Sequence, residues 1–421
     1  MEIRDYKPKQ DDSALIRIFK EVGWLEDNKE HEKAFISFFT ENNIKVAASH
    51  DVPECAVFSA PGTMHHSGID LSLCAITAVV TSRIVRKQGF AKHTLAHVLG
   101  KAGSDGIAVA NLGIFDQGYY EKHGFGTGNY ERWQNFSPSA LQLPIRNDSL
   151  PVRLTVKDAK EVHANRLTSI KFHGDCMLTP VHMSKIEMDL GKNGFGLGFR
   201  DKNGILTHHM WIVTENPEHG PYTVYWSAYQ SKLQLLELLE LINRLSDQIE
   251  SISMHEPPGI HLQDFIKRPF HMQRITEGGK YTNNSRTSAY WQARILNIQP
   301  CIKALKLPSL SDNQHISFNL ELEDPLESLL TEAGASPAST GYSGCAGSYI
   351  VSLGPESHIR PGTKKGLPTL RSSINSFTRL WLGVLPASSL SAAALIDISP
   401  ELEADLDEHI TLPEPKRLWD F

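Results

Sequence analysis

The chain has few cysteines and no pattern among them. Its 421 residues hold five, Cys55, Cys74, Cys176, Cys301 and Cys345, widely spaced and without a CxxC pair. That excludes a zinc ribbon or a redox dithiol. Reduced, mostly buried thiols in a cytoplasmic protein are the expectation. No stretch approaches the roughly 20 apolar residues of a membrane helix. The opening MEIRDYKPKQDD has no apolar run behind its charges, so no secretory leader is expected there. Basic residues are not in surplus: 42 Lys and Arg face 48 Asp and Glu, a net charge of −6. This argues against nucleic acid as a partner and suits a cationic small molecule. No low-complexity segment and no short repeat occur.

The sequence does contain the makings of several cores. It is 40% hydrophobic and 21% charged, a soluble globular composition. Its length implies two to four domains. Around residues 12–21, Leu15, Ile16 and Phe19 follow a helical spacing behind an Asp/Ser cap. Residues 30–40 repeat this with Ala34, Phe35, Phe38 and Phe39. Strand-like runs follow at Ile44–Ala48, Ala56–Ser59 and Leu71–Thr81, then a helix from about Gly89 to Lys101 and a buried strand at Ile107–Ile114. Such alternation indicates a mixed α/β layer.

Residues 137–151 (SPSALQLPIRNDSLP) read as a linker. Beyond it, GFGLGFRDKNGILTHHMWIV predicts a hairpin turning at Asn203-Gly204. TVYWSAYQ predicts a strand, and KLQLLELLELINRLSDQIESI an amphipathic helix. A third segment opens near Ala293, with strands in HISFNLELED and GSYIVSLG and a helix around Leu380–Leu385.

Two segments carry chemistry. Arg86-Lys87-Gln88-Gly89-Phe90-Ala91 follows a strand and opens a helix. Orphan amides and the helix dipole face an anion at such a turn. Gly89 lacks the Cβ that would obstruct a pyrophosphate, and Arg86 and Lys87 add positive charge. A basic turn before an ordinary helix is the equally weighted plain reading. One strand later comes FDQGYYEKHGFGTGN, whose tyrosines Tyr119 and Tyr120 offer a hydroxyl able to protonate a leaving thiolate. Taken alone, tyrosines pack far more often than they catalyse.

Together these segments resemble a known family. VTSRIVRKQGFAKH is similar to the acetyl-CoA-binding motif R/Q-x-x-G-x-G/A of the GNAT N-acetyltransferases, and GYYEKHGFG resembles the later wall of that fold. FHGDCMLTPVHMSKIEMD, YWQARILNIQPCIKALKL, RLWLGVLPASSL and the closing PEPKRLWDF extend the resemblance over essentially the whole chain. They point to the enhanced-intracellular-survival (Eis) acetyltransferases.

The resemblance implies tandem GNAT folds, each a central mixed sheet flanked by helices, plus a sterol-carrier-like α/β domain. The implied divisions are a catalytic GNAT domain at 1–145, a degenerate GNAT-like domain at 146–292, and a sterol-carrier-like domain at 293–421. It implies acetyl-CoA as cosubstrate, no metal, and a polyamine, aminoglycoside or lysine side chain as acceptor. It also implies a homohexamer with no membrane partner. Val79, Val80 and Thr81 fall where backbone amides hold the pantetheine arm. Arg86, Lys87, Gly89, Phe90 and Ala91 fall on the pyrophosphate loop. Tyr120 falls on the general acid, and Phe421 on a terminal residue whose α-carboxylate is the general base. The sequence departs from the family at Arg83, where many relatives carry proline, and at His123, commonly aromatic.

Other near-motifs lack their context. GYSGC (341–345) misses the last glycine of a nucleophile elbow. GFGLG (194–198) sits in a hairpin, not before a helix. His65-His66 and His208-His209 lack ligand spacing. The acidic run Glu401–Glu408 reads as a solvated helix face, or else as part of the route of a cationic acceptor. The competing functional class is an apolar-ligand carrier or scaffold with an idle GNAT unit. Such a carrier needs neither the RKQGFA loop nor Tyr120.

Overall fold

The computed structural model describes residues 1–269, 284–308, 310–311, 314–335 and 341–421. Its contacts divide the chain into two compact units. One comprises 1–129, 172–179 and 289–421; the other comprises 130–171 and 180–288.

The first unit is built on strands β1 (Glu2–Asp5), β2 (Asn43–Ser49), β3 (Val52–His66), β4 (Ile69–Thr81), β5 (Val109–Gly113) and β6 (Gly126–Thr127). β1 to β4 form an antiparallel meander. β5 then runs parallel to β4, as a strand must when a helix carries the chain across. That helix is α3 (Phe90–Ser104), preceded in the unit by α1 (Asp12–Glu21) and α2 (Lys29–Glu41) and followed by α4 (Gln117–Glu121). α3 lays Leu95, Val98, Leu99 and Ala102 on Val57, Cys74, Ile76 and Leu112 of the sheet. Phe19, Phe35, Phe38, Phe39 and Phe58 form an aromatic cluster joining α1 and α2 to β3. The aromatic spacing of residues 30–40 thus becomes the core of the helical hairpin.

β5 and β6 do not pair with each other. The strand Trp291–Ile295 lies between them, antiparallel to both, and all five of its residues are buried. The second unit has the same plan. Its sheet runs in the order Val152–Leu154, Phe195–Arg200, Leu206–Thr214, Tyr222–Ala228, Ile252–His255, Glu131–Phe136, Asn284–Ser288. Only the Tyr222–Ala228 and Ile252–His255 pair is parallel. A helix, Lys232–Arg244, joins those two strands and buries Leu235, Leu238, Leu239, Leu241 and Ile242. The penultimate strand is again out of sequence order. Glu131–Phe136, which follows β6 in the chain, pairs in the second sheet, and Trp291–Ile295, which follows Asn284–Ser288, pairs in the first.

The remaining chain of the first unit forms a five-stranded sheet, ordered His358–Pro361, Gly347–Leu353, Ile316–Glu323, Thr369–Ser373, Ile396–Asp397. The helices Ile374–Trp381 and Pro400–His409 follow its last two strands, respectively. In the second of these helices Leu402 and Leu406 are buried while Glu401 and Glu408 are exposed. All five cysteines are buried and unbridged. Among the described residues no helix is long and apolar enough to cross a membrane, and no three His, Cys, Asp or Glu side chains converge as a metal site.

Candidate active site

β4 and β5 are paired only from Leu73↔Val109 to Ile76↔Leu112. Past Ile76, β4 continues against β3 alone, through Ala78, Val79, Val80 and Thr81. A register shift in the β3–β4 ladder falls at this point, between Phe58 and Ser59. Such a bulge increases local twist and redirects the strand. The β5-facing edge of Val79–Thr81 is thereby left without a ladder partner, as a slot in the sheet.

The turn after β4 ends at Gly89, which caps α3 with φ +83°. A residue with a Cβ disfavours this left-handed geometry. A Cβ there would also stand 3.1 Å from the His93 ring. No side chain caps the first turn of α3, so its leading amides are free to meet an anion. Arg86 and Lys87 are exposed beside it. One cavity of ≈1040 Å³ connects turn and slot, and its wall includes Val79, Val80, Thr81, Arg86, Lys87, Gly89, Phe90 and Ala91. All eight residues assigned from sequence to acetyl-CoA therefore share one wall. Phe90 also enters the core beside Cys55 and Val85.

Sequence reasoning missed several residues on the same wall: Trp24, Lys92, Phe115, Lys122 and Leu329. Trp24 and Phe115 are large apolar side chains left about half or more exposed, at 51% and 70%. Lys92 is paired with Glu332. Leu329 carried no local signal, since it lies far along the chain in the helix Leu326–Glu332.

The two tyrosines of α4 differ. Tyr119 is on the cavity wall, and Tyr120 is not. Tyr120 is 3% exposed, with its ring edge-on to Phe115 and Phe125. Burial, then the Asp116 charge, push its hydroxyl well above the ordinary tyrosine range. The Tyr119 hydroxyl is buried with no hydrogen-bond partner among the described residues, and burial likewise raises it. His123 places its two ring nitrogens 3.2 Å from the carbonyls of Tyr119 and Lys92, with burial holding it down at about 4. Arg83 ties the loop after β4 to α1, its amide donating to Glu21 Oε2 at 2.8 Å.

Phe421 lies at the end of β5, where β4 and β5 part, and like Tyr120 it is not among the residues of the cavity wall. The Ile114 amide donates toward Tyr290, on the inserted-strand side. Alternate amides of a strand point to opposite edges, so the Gly113 amide points toward β4, where it donates to a Phe421 oxygen at 3.2 Å. The chain leading there is anchored at each step. Lys416 N–H donates to the His173 carbonyl at 2.9 Å, and Leu418 N–H to Asp175 Oδ1 at 3.1 Å. Trp419 is buried. Arg417, with a fully buried side chain, donates to Asn111 Oδ1 at 3.2 Å and Asp420 Oδ1 at 2.8 Å, and faces the Phe421 ring.

This geometry has solved counterparts. A GCN5-related N-acetyltransferase from Anabaena variabilis superposes with a TM-score of 0.75 at 14% identity, covering all of both chains. Eis1 from Mycobacterium abscessus gives 0.73 at 12%, again over all of both chains. A conserved protein of unknown function from Enterococcus faecalis gives 0.77 at 14%, over all of this chain and 99% of that one. The fold is that of the GCN5-related N-acetyltransferases. The two sheets with their shared strand order are its tandem copies. No protein-family model matches the chain, and no curated protein matches it.

Proposed function

We propose that the chain is an acetyl-CoA-dependent N-acetyltransferase acting on the primary amine of a small cationic acceptor. The observation that carries this is the single cavity joining the unpaired edge of Val79–Thr81 to the Gly89 turn. An unpaired strand edge suits an amide-bearing chain such as pantetheine, and uncapped helix amides suit a pyrophosphate. Acetyl-CoA, when bound there, supplies the acetyl thioester.

The chain's own residues supply the rest. Arg86 and Lys87 offset phosphate charge at the turn. Backbone N–H groups on the open edge of β4 donate to a carbonyl oxygen without needing to reorganise. The Tyr120 hydroxyl stays protonated at any pH suited to an amine substrate, so it holds the proton a departing thiolate requires. The carboxylate of Phe421 receives the proton the amine gives up. A positioned acid or base of this kind is typically worth about 10²–10⁴-fold. Trp24 and Phe115 offer apolar surface against the acceptor's hydrocarbon portion.

The finer assignments belong to the same proposal. They are membership of the Eis family, the divisions 1–145, 146–292 and 293–421 with a sterol-carrier-like third segment, a cytoplasmic location and a homohexamer. The test is thiol release from acetyl-CoA against polyamines, aminoglycosides and lysine peptides. Amine-dependent release supports the enzyme, and acetyl-CoA binding with no release for any amine counts against it. Light scattering at a mass near the monomer's 46.9 kDa would overturn the hexamer.

A further inference from the structure

The strand inserted beside β5 carries a buried cation. Arg294 is on Trp291–Ile295, and its side chain and that of Asp324 are both 0% exposed, 2.6 Å apart between Nη2 and Oδ2. Burying such a pair rarely adds stability, because desolvation offsets the attraction; apolar replacements are often as stable. What the pair does fix is position, at both ends. Asp324 Oδ1 accepts from the Leu326 amide at 3.0 Å and Oδ2 from the Cys345 amide at 2.8 Å, so the carboxylate is rigidly seated. The other arm of the guanidinium, Nη1, donates to the His123 carbonyl.

His123 closes the turn that carries Tyr120. The Tyr120 carbonyl accepts from the amides of His123 at 2.9 Å and Phe125 at 3.3 Å. Gly124 follows at φ +82°, and a Cβ there would stand 2.9 Å from Arg294 Nη1 and 2.7 Å from Ile374 Cγ2. The glycine of the GYYEKHGF segment therefore serves the turn and also lets the guanidinium approach. From the other side the His123 ring rests against the Lys92 carbonyl of α3. The turn is gripped between α3 and Arg294.

We propose that Arg294, seated by Asp324, is a positioning residue that holds the Tyr120 turn in its working geometry. Through it, Asp324 governs turnover at a turn that its own side chain does not touch. This rests on the reading of Tyr120 as the acid. Misplacing a catalytic group by about 1 Å can cost roughly 10²-fold.

The experiment uses the full chain with Arg294→Lys, and with the double substitution Arg294→Met plus Asp324→Leu, which leaves no unpaired charge. Each is compared with wild type and with Tyr120→Phe. Three readouts apply: acetyl-CoA affinity by calorimetry, kcat and KM for thiol release from acetyl-CoA with the best amine of the panel, and the fluorine resonance of 3-fluorotyrosine at position 120. The expected result is folded protein with acetyl-CoA affinity and KM within about twofold of wild type. kcat falls about 10²-fold, and the fluorine resonance broadens and titrates at lower pH. A folded double variant with wild-type kcat and an unchanged resonance overturns the proposal. So does failure of both variants to fold, since the pair would then serve folding alone. Full activity in Tyr120→Phe would instead remove the acid assignment, and the fluorine resonance would still decide whether Arg294 orders the turn.

Discussion

The Gly113 amide and Phe421 meet at 3.2 Å, at the place where β4 and β5 part. β5 ends at Gly113, so its last amide toward β4 has no strand to bond. The end of the chain takes that amide instead. The sequence resemblance implies an α-carboxylate acting as base; under the proposed function, this contact is what holds it.

The first prediction concerns that carboxylate. Adding one glycine after Phe421 converts its carboxylate to an amide and leaves every side chain in place. Turnover should fall about 10²-fold or more, with acetyl-CoA affinity unchanged by calorimetry. Full activity in the extended chain would remove Phe421 as the base.

The second concerns the turn. Gly89→Glu forces a side chain into a left-handed position, at a strain of about 1–2 kcal/mol, and sets a negative charge against the phosphates. Loss of hydrogen bonds to a charged group, worth about 1.5–3 kcal/mol, should weaken acetyl-CoA at least about tenfold. Calorimetric titration giving wild-type affinity would place the cofactor elsewhere.

The turn and its neighbours were legible because their signals are local. Gly89 punctuates a strand and a helix, and α3 begins one residue after the expected start. The hairpin turning at Asn203-Gly204 follows from its dipeptide, and Gly204 does take φ +80°. What the sequence could not reveal is pairing at a distance. Trp291–Ile295 alternates apolar and polar residues like many strands, and nothing in its letters says it lies between β5 and β6. Arg294 is one arginine among many until its partners His123 and Asp324 are seen. The tyrosine pair is a mixed case: the family resemblance nominates Tyr120, while the cavity wall itself carries Tyr119.

The third prediction follows from the inserted strand. A fragment of residues 1–145 lacks Trp291–Ile295, leaving β5 and β6 without their shared neighbour and exposing the apolar surface that Trp291, Ala293 and Ile295 cover. It should show no cooperative melting transition and weak near-ultraviolet dichroism, while the full chain shows both. A fragment that melts cooperatively would mean the strand is dispensable.

The fourth concerns acid. Burial, and then the neighbouring His173, push His66 down to about 4. His123 and His208 are held near 4 and His209 near 3 by burial. Unfolded, each titrates near 6.5. Between that value and about 4 the unfolded chain binds more protons, so stability falls as pH falls. The urea midpoint should be flat above about pH 7 and drop steadily from about 6.5 to 5. His66→Phe, which keeps a ring on Trp381, should reduce the slope. A midpoint constant down to pH 5 would show that these imidazoles accept protons in the folded state.

The central claim is acetyl transfer with a tyrosine acid, and the most direct measurement is amine-dependent thiol release from acetyl-CoA by wild type, Tyr119→Phe and Tyr120→Phe. The account predicts release by wild type and a loss of about 10²-fold or more in Tyr120→Phe at unchanged acetyl-CoA affinity. It predicts near-normal turnover in Tyr119→Phe, which removes only a buried hydroxyl without a partner among the described residues. An inactive Tyr119→Phe beside a normal Tyr120→Phe would transfer the role to the tyrosine on the cavity wall. Absence of amine-dependent release from the wild-type chain, with no acetyl-CoA binding, would contradict the account altogether.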